Sequence, residues 1–302
     1  MASTFSCRFS SCSSSMLFMP APVIENWPIV NQKRTIMSPL LDELLTSLRN
    51  NQVRDLAWAI GSPGLLPGLQ EAPADQWYEQ LLRDYHPRLL ALDSHPDLLH
   101  RHCGDCLRLG QYFEALWHFF LLDNPRFQVL GFNRQQVVAG RTLGAFDLLL
   151  WDNQHRRVEH WELAVKFYLI TDTRQPRDSA LGINPCDRLR RKLDHMQQHQ
   201  LRLSQRPEVK RSLAAEGLMP SHTRLVLKGR LFYPLDAPLP KGHEARTGRW
   251  GHEAPAHGFE PQHKLGWMTG GRKTDDIRQR QNYRDAKGNW YVKVERNWNE
   301  ER

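Results

Sequence analysis

From Pro39 onward the apolar positions recur at helical spacing. Leu41, Leu44, Leu45 and Leu48 form one stripe, and Val53 to Ile60 carries the pattern into a second short helix. Ser38-Pro39 reads as the start of the first, an N-cap followed by proline in the first turn. The glycine- and proline-rich stretch from Gly61 to Gly68 is a turn-forming break. Asp75 then opens a helix carrying Trp77, Leu81, Leu82 and Tyr85, and Pro87 and Pro96 punctuate the chain beyond it. Between Leu107 and Leu122 the pattern is strongly amphipathic: Leu109, Phe113, Leu116 and Phe120 share a face, with Glu114 beside it. Asp123-Asn124-Pro125 ends that helix.

The period then drops from 3.6 to two. Arg126 to Phe132 reads as a strand, and Asn133 to Arg141 as a connection or short strand. Two longer strands come next. In the second of them Trp161, Leu163, Val165, Phe167 and Leu169 point one way, and His160, Glu162, Ala164, Lys166 and Tyr168 the other. In the first, Phe146, Leu148 and Leu150 are expected on one face and Asp147 on the other. A four-residue loop, Asn153 to Arg156, places Asp152 opposite Arg157, Leu148 opposite Trp161 and Phe146 opposite Leu163. The same register sets Asp147 against Glu162, because a slip by one residue would turn either carboxylate onto the apolar face. Directly opposed Cβ atoms lie about 5 Å apart, and like charges so placed repel. A divalent cation would compensate them, as would Lys166; an ordinary solvated strand face with an ion pair is the plainer alternative.

Beyond Leu169 a polar loop runs from Thr171 to Asn184. Asn184-Pro185 then begins a helix with Leu189, Leu193, Met196 and Leu203 as its spine and Arg188, Arg190, Arg191, Lys192, His195 and His199 on its other face. Such a face is commonly just solvated; beside a carboxylate cluster it can also hold a phosphate backbone. Leu225 to Tyr233 is the next strand, ended by Pro234. Residues 236–270 are rich in Gly, Pro and His without a period, and 289–296 read as a final strand.

The 302 residues carry a net charge of +8, and its placement is uneven. Residues 201–302 hold 20 Lys and Arg against 12 Asp and Glu, whereas the first 200 residues are balanced. This is compatible with a polyanionic partner such as nucleic acid, and equally with a basic tail that is merely solvated. No apolar run reaches the roughly 20 residues that span a bilayer, so no membrane partner is expected. Five scattered cysteines suit a reducing, cytoplasmic location rather than a disulfide scaffold. Cys103 and Cys106 form a single Cys-x-x-Cys with no second pair to complete a zinc site, and are expected on a helix or turn. Residues 1–36, serine-rich and without apolar period, are expected to be a disordered upstream extension whose removal leaves the melting temperature unchanged.

No internal repeat, Walker-type phosphate loop, Gly-x-Ser-x-Gly elbow or Rossmann fingerprint occurs. The central order is helix (107–122), strand (126–132), a strand with Asp147, a strand with Glu162 and Lys166, helix (185–203) and strand (224–233). This αβββαβ order, with an acid on the second strand and an acid plus lysine on the third, resembles the PD-(D/E)XK nuclease-like superfamily over about 125 residues. Several stretches also resemble a bacterial family known as domain of unknown function 1853. These are Val53 to Ala59, Leu109 to Trp117, His160 to Leu169 and Asn184 to Leu189.

The resemblance implies an α/β (α+β) fold with a helical N-terminal region (37–106), a restriction-endonuclease-like core (107–235) and an irregular basic C-terminal extension (236–302). It implies a metal-dependent nuclease in which Asp147, Glu162 and Glu114 hold Mg²⁺ or Mn²⁺, with Asp147, Glu162 and Lys166 as the catalytic set. One departure stands out. The usual third-strand motif is acid-x-lysine, but here Ala164 also intervenes, so Glu162 and Lys166 are about 13 Å apart along the strand instead of about 6.6 Å. The same residues are therefore also compatible with a catalytically decayed module that binds nucleic acid or protein.

Overall fold

The computed structural model describes residues 38–299, apart from 105, 256, 277, 279 and 280. The expectations for residues 1–36 lie outside the described residues.

Five helices precede the first strand: α1 (Pro39–Ser47), α2 (Asn51–Gly61), α3 (Asp75–Ser94), α4 (Asp97–Cys103) and α5 (Leu109–Asp123). Proline stands in the first turn of α1 as the sequence predicts, though Ser38 makes no side-chain cap bond. Asn50 caps α2 through its side-chain oxygen, which accepts from the Gln52 and Val53 backbone N–H groups. Pro87 does not end a helix; α3 runs through it. Its missing N–H costs one intrahelical bond, and the buried Tyr85, Leu89 and Leu92 on either side hold the helix to the core. Cys103 is the buried last residue of α4, and the Cys106 thiol donates to its carbonyl oxygen at 2.8 Å.

The strands are β1 (Phe127–Val138), β2 (Arg141–Asp152), β3 (Arg157–Ile170), β4 (Ala180–Gly182), β5 (His222–Pro234), β6 (Thr247–Gly251), β7 (Phe259–Pro261), β8 (Asn282–Asp285) and β9 (Trp290–Lys293). Two further helices, α6 (Leu189–His195) and α7 (Pro207–Ala215), lie between β4 and β5. All the strands belong to one mixed sheet, in the order β1-β2-β3-β5-β6-β9-β8-β7, with β4 paired to β3. β1 to β3 run antiparallel, whereas β3–β5, β5–β6 and β6–β9 are parallel.

Three sequence expectations change here. Residues 127–138 form one long strand with register shifts, β1, instead of a strand to Phe132 followed by a connection or short strand. The loop after Leu169 contains β4. And the stretch from 236 on is not irregular: β6 to β9 continue the sheet beyond β5, so residues 38–299 belong to one compact unit. Their short strands of three to five residues are too brief to display a period.

One face of the sheet, with Leu148, Leu150, Trp161, Leu163, Phe167 and Leu169, packs against α1 to α5. On the other, Phe146, Leu149 and Val158 pack against Leu203, Val209 and Leu213, the last two from α7. Helices on both faces explain why β3 is buried along almost its whole length. Among the described residues no helix is long and apolar enough to cross a membrane.

Candidate functional site

The β2–β3 hairpin has the loop and register that the apolar pattern predicts: Asp152 faces Arg157 and Leu148 faces Trp161. The ladder stops there. The expected Phe146–Leu163 pair does not form, and Phe146 lies on the opposite face from Leu148, with Leu149, its ring 4.6 Å from that of His160. The alternation breaks at Asp147. On the neighbouring strand the residue between the pairs Phe132–Leu148 and Arg134–Phe146 is Asn133, whose φ of +48° is left-handed. Two adjacent strands thus kink at the same level, and β2 parts from β3.

Side chains take over the hydrogen bonds that the ladder gives up. The Leu163 N–H donates to Asp147 Oδ2 at 2.8 Å. The Asp147 and Glu162 carboxyl groups come close enough for each to shift the other's ionisation. Their meeting was expected as an ordinary cross-strand pair; it arises at the fork where the strands separate. Glu162 is fully buried. Its Oε1 lies 2.7 Å from His160 Nε2, and its Oε2 accepts from Gln200 Nε2 at 2.6 Å.

Burial dominates the electrostatics. Asp147 is pushed up to about 7, by desolvation first and by the Glu162 charge next. Glu162 is also pushed up to about 7 by desolvation, against the bonds from Asp147 and Gln200 and the charge of Lys192. Two carboxyls in contact that each resist ionisation hold a shared proton near neutrality. Glu114, from α5, is raised by burial and then by the Asp147 charge, with Asn133 and Lys192 working the other way. Burial lowers His160 to about 4, so its ring is neutral near neutrality and donates its Nε2–H to Glu162.

Lys166 points elsewhere. Its Nζ pairs with Asp187 Oδ2 at 2.8 Å, and Asp187 Oδ1 accepts from the Tyr168 hydroxyl at 2.9 Å. The cation that senses the carboxylates is Lys192 on α6, lowered by burial and by Lys166 and raised by Asp147, Glu162 and Asp187. It donates to Gln200 Oε1 at 3.2 Å. The sequence shows Lys192 only as one cation in a basic row, because nothing in a linear motif ties a helix to a strand some 30 residues upstream.

Among the described residues, one group offers three ligand atoms within 4.8 Å of one another, and it lies at the other end of the hairpin: Asp152, His155 and Glu159. This group could hold a metal ion by spacing, but its charges are already matched. Arg126 makes a bidentate pair with Asp152, and Arg157 and Arg224 hold Glu159, whose Oε2 also accepts from Trp161 Nε1. The Arg224 guanidinium lies 4.9 Å from the centre of the Trp77 ring. Such a network is structural. Glu159→Ala is expected to destabilise the fold by about 3 kcal/mol, because it strands two arginines at a buried site. Urea unfolding reads the loss, and added divalent metal should not change it.

A family model described as a domain of unknown function (DUF1853) matches residues 54–299. No curated protein and no solved structure matches the chain.

Proposed function

The chain belongs to the DUF1853 family, a membership that carries no activity with it, and from its own site we propose a divalent-metal-dependent phosphodiesterase acting on nucleic acid. The observation that carries this reading is the fork itself: where the β2–β3 ladder ends, Asp147 is held by the Leu163 N–H and the buried Glu162 by His160 and Gln200, with Lys192 on the same glutamine and a third acid, Glu114, in electrostatic reach. All-oxygen donors of this kind fit a hard cation such as Mg²⁺ or Mn²⁺. The order α5-β1-β2-β3-α6-β5, with β4 and α7 as insertions, supports the reading as a PD-(D/E)XK-type core, whose αβββαβ order it resembles.

Asp147 and Glu162 would hold the cation in place of their shared proton, with Glu114 behind Asp147. When bound, such a cation neutralises phosphate charge and acidifies water. Asp147 is fixed by the Leu163 N–H, and Glu162 by His160 and Gln200, so the pair is oriented before any ligand arrives. Lys192 carries the positive charge that would meet the charge developing on the scissile phosphate. Lys166, anchored to Asp187, would support this side of the site from further off. The exposed Arg191, His195, His199 and Arg202 beside Lys192 offer a phosphate-backbone contact, so binding should weaken steeply with salt.

Lys192→Met tests the assignment. Cleavage of single- or double-stranded DNA or RNA with Mn²⁺ is expected to fall at least about 100-fold, while Mn²⁺ binding persists. Lys166→Met is expected to cost less. A Lys192→Met protein that cleaves at the wild-type rate would remove the lysine from this role. Nucleic-acid binding without any metal-dependent cleavage, in a wild-type protein that binds Mn²⁺, would instead favour a binding module that keeps the fold.

A further inference from the structure

The helix that carries Lys192 is not regular. After α6 the backbone widens into a π turn over Met196–Gln200, where the Leu201 N–H reaches back five residues to the Met196 carbonyl at 2.9 Å. The apolar spine records the same event. Leu189, Leu193 and Met196 are spaced by four and three, but the next core residue is Leu201, five further on. In an uninterrupted α-helix of about 100° per residue, Gln200 would fall on the apolar spine and His199, seven after Lys192, would stand over the lysine. The extra residue of the π turn moves every later position back by one. Leu201 enters the core, His199 is turned out to solvent, and Gln200 takes the place over Lys192.

An amide there can do what an imidazole cannot. It presents a donor and an acceptor at one tip, both fixed in charge. Gln200 uses both, donating to Glu162 Oε2 at 2.6 Å and accepting from Lys192 Nζ at 3.2 Å. Glu162 has its other oxygen tied to His160 at 2.7 Å. We infer that the π turn exists to install Gln200 as a positioning residue, a bridge that fixes Glu162 for a divalent cation and holds Lys192 beside it. This rests on the proposed metal site and adds to it a residue that no acid-and-lysine motif contains.

The test is Mn²⁺ binding to the full chain, by calorimetry, for wild type, Gln200→Met, Lys192→Met and the double variant. Gln200→Met keeps the length of the side chain and loses both bonds. It is expected to weaken Mn²⁺ binding about tenfold or more, the usual cost of removing a partner of a metal ligand, measured on protein that still unfolds cooperatively in chelator. Because Lys192 anchors the amide, that loss should shrink at least about threefold in the Lys192→Met background. Gln200→Asn, which keeps the amide but is one methylene too short, should weaken binding similarly and serves if the methionine variant folds poorly. Wild-type affinity in both Gln200 variants would overturn the inference and leave the metal site standing. Fully additive losses would overturn the bridge to Lys192. A wild-type protein without Mn²⁺ binding would overturn the metal-site reading and this inference with it.

Discussion

Asp147→Asn is expected to make the metal-free protein more stable at pH 8 while abolishing stabilisation by Mg²⁺ or Mn²⁺. The two carboxyls have folded pKa values near 7, above the ordinary 3.8 and 4.5. A raised carboxyl contributes stability that is fully present below its unfolded value and lost as pH rises through its folded value. The wild-type site therefore weakens between about pH 4 and 7, and at pH 8 two desolvated charges repel in contact. Asparagine removes one of them, and its side-chain oxygen can still accept the Leu163 N–H that Asp147 holds at 2.8 Å. The gain at pH 8 should be on the order of 2 kcal/mol, and it should shrink at pH 5, where the wild-type pair keeps its proton. In the wild type, metal binding replaces that proton and adds stability by mass action; the variant has lost half the ligand pair. Urea unfolding at the two pH values, in chelator and in excess Mg²⁺, gives all four numbers. A variant less stable than wild type at pH 8 in chelator would mean that the carboxyls do not repel.

The largest expected loss is at Gly229. It pairs with Lys166 across the parallel β3–β5 ladder, with φ at +135°, a backbone that L side chains rarely adopt. A Cβ there would fall inside the van der Waals envelope of the Lys166 carbonyl, a backbone atom that cannot step aside. Gly229→Ala must therefore push apart the two strands that form the centre of the sheet. A loss of about 4 kcal/mol or more is expected, enough to unfold many domains of this size. Gly258→Ala is the control. It too has positive φ, at +95°, but nothing lies within 4 Å of an added Cβ, so its cost should stay near 1 kcal/mol. Equal melting temperatures for the two variants would contradict the close approach at Gly229.

Much of the centre of the molecule was legible in the sequence because two faces had to be buried at once. β3 alternates without a break, and only one hairpin register satisfies both its apolar row and that of β2; Asp152 faces Arg157 accordingly. What escaped were departures from regularity. The reversal at Asp147 and Phe146 depends on Asn133 adopting a left-handed backbone on a different strand. Lys166 was the obvious lysine because it shares a strand face with Glu162, yet Asp187, from the loop before α6, captures it. Lys192 and Gln200 meet Glu162 only through tertiary packing, although the five-residue step from Met196 to Leu201 was a readable sign of a widened turn. The strands β6 to β9 were mostly missed because a strand of three to five residues, set among Gly and Pro, carries too few positions to show alternation.

Whether the fork between β2 and β3 takes a divalent cation decides the proposed activity. Calorimetric titration of Mg²⁺ and Mn²⁺ into the full chain up to millimolar concentration, with and without nucleic acid, asks this directly. The predicted result is saturable binding by the wild type that weakens as pH falls below about 7, where the proton shared by Asp147 and Glu162 competes for the site, and no such binding by Asp147→Asn. Absence of binding by the wild type under every one of these conditions would contradict it.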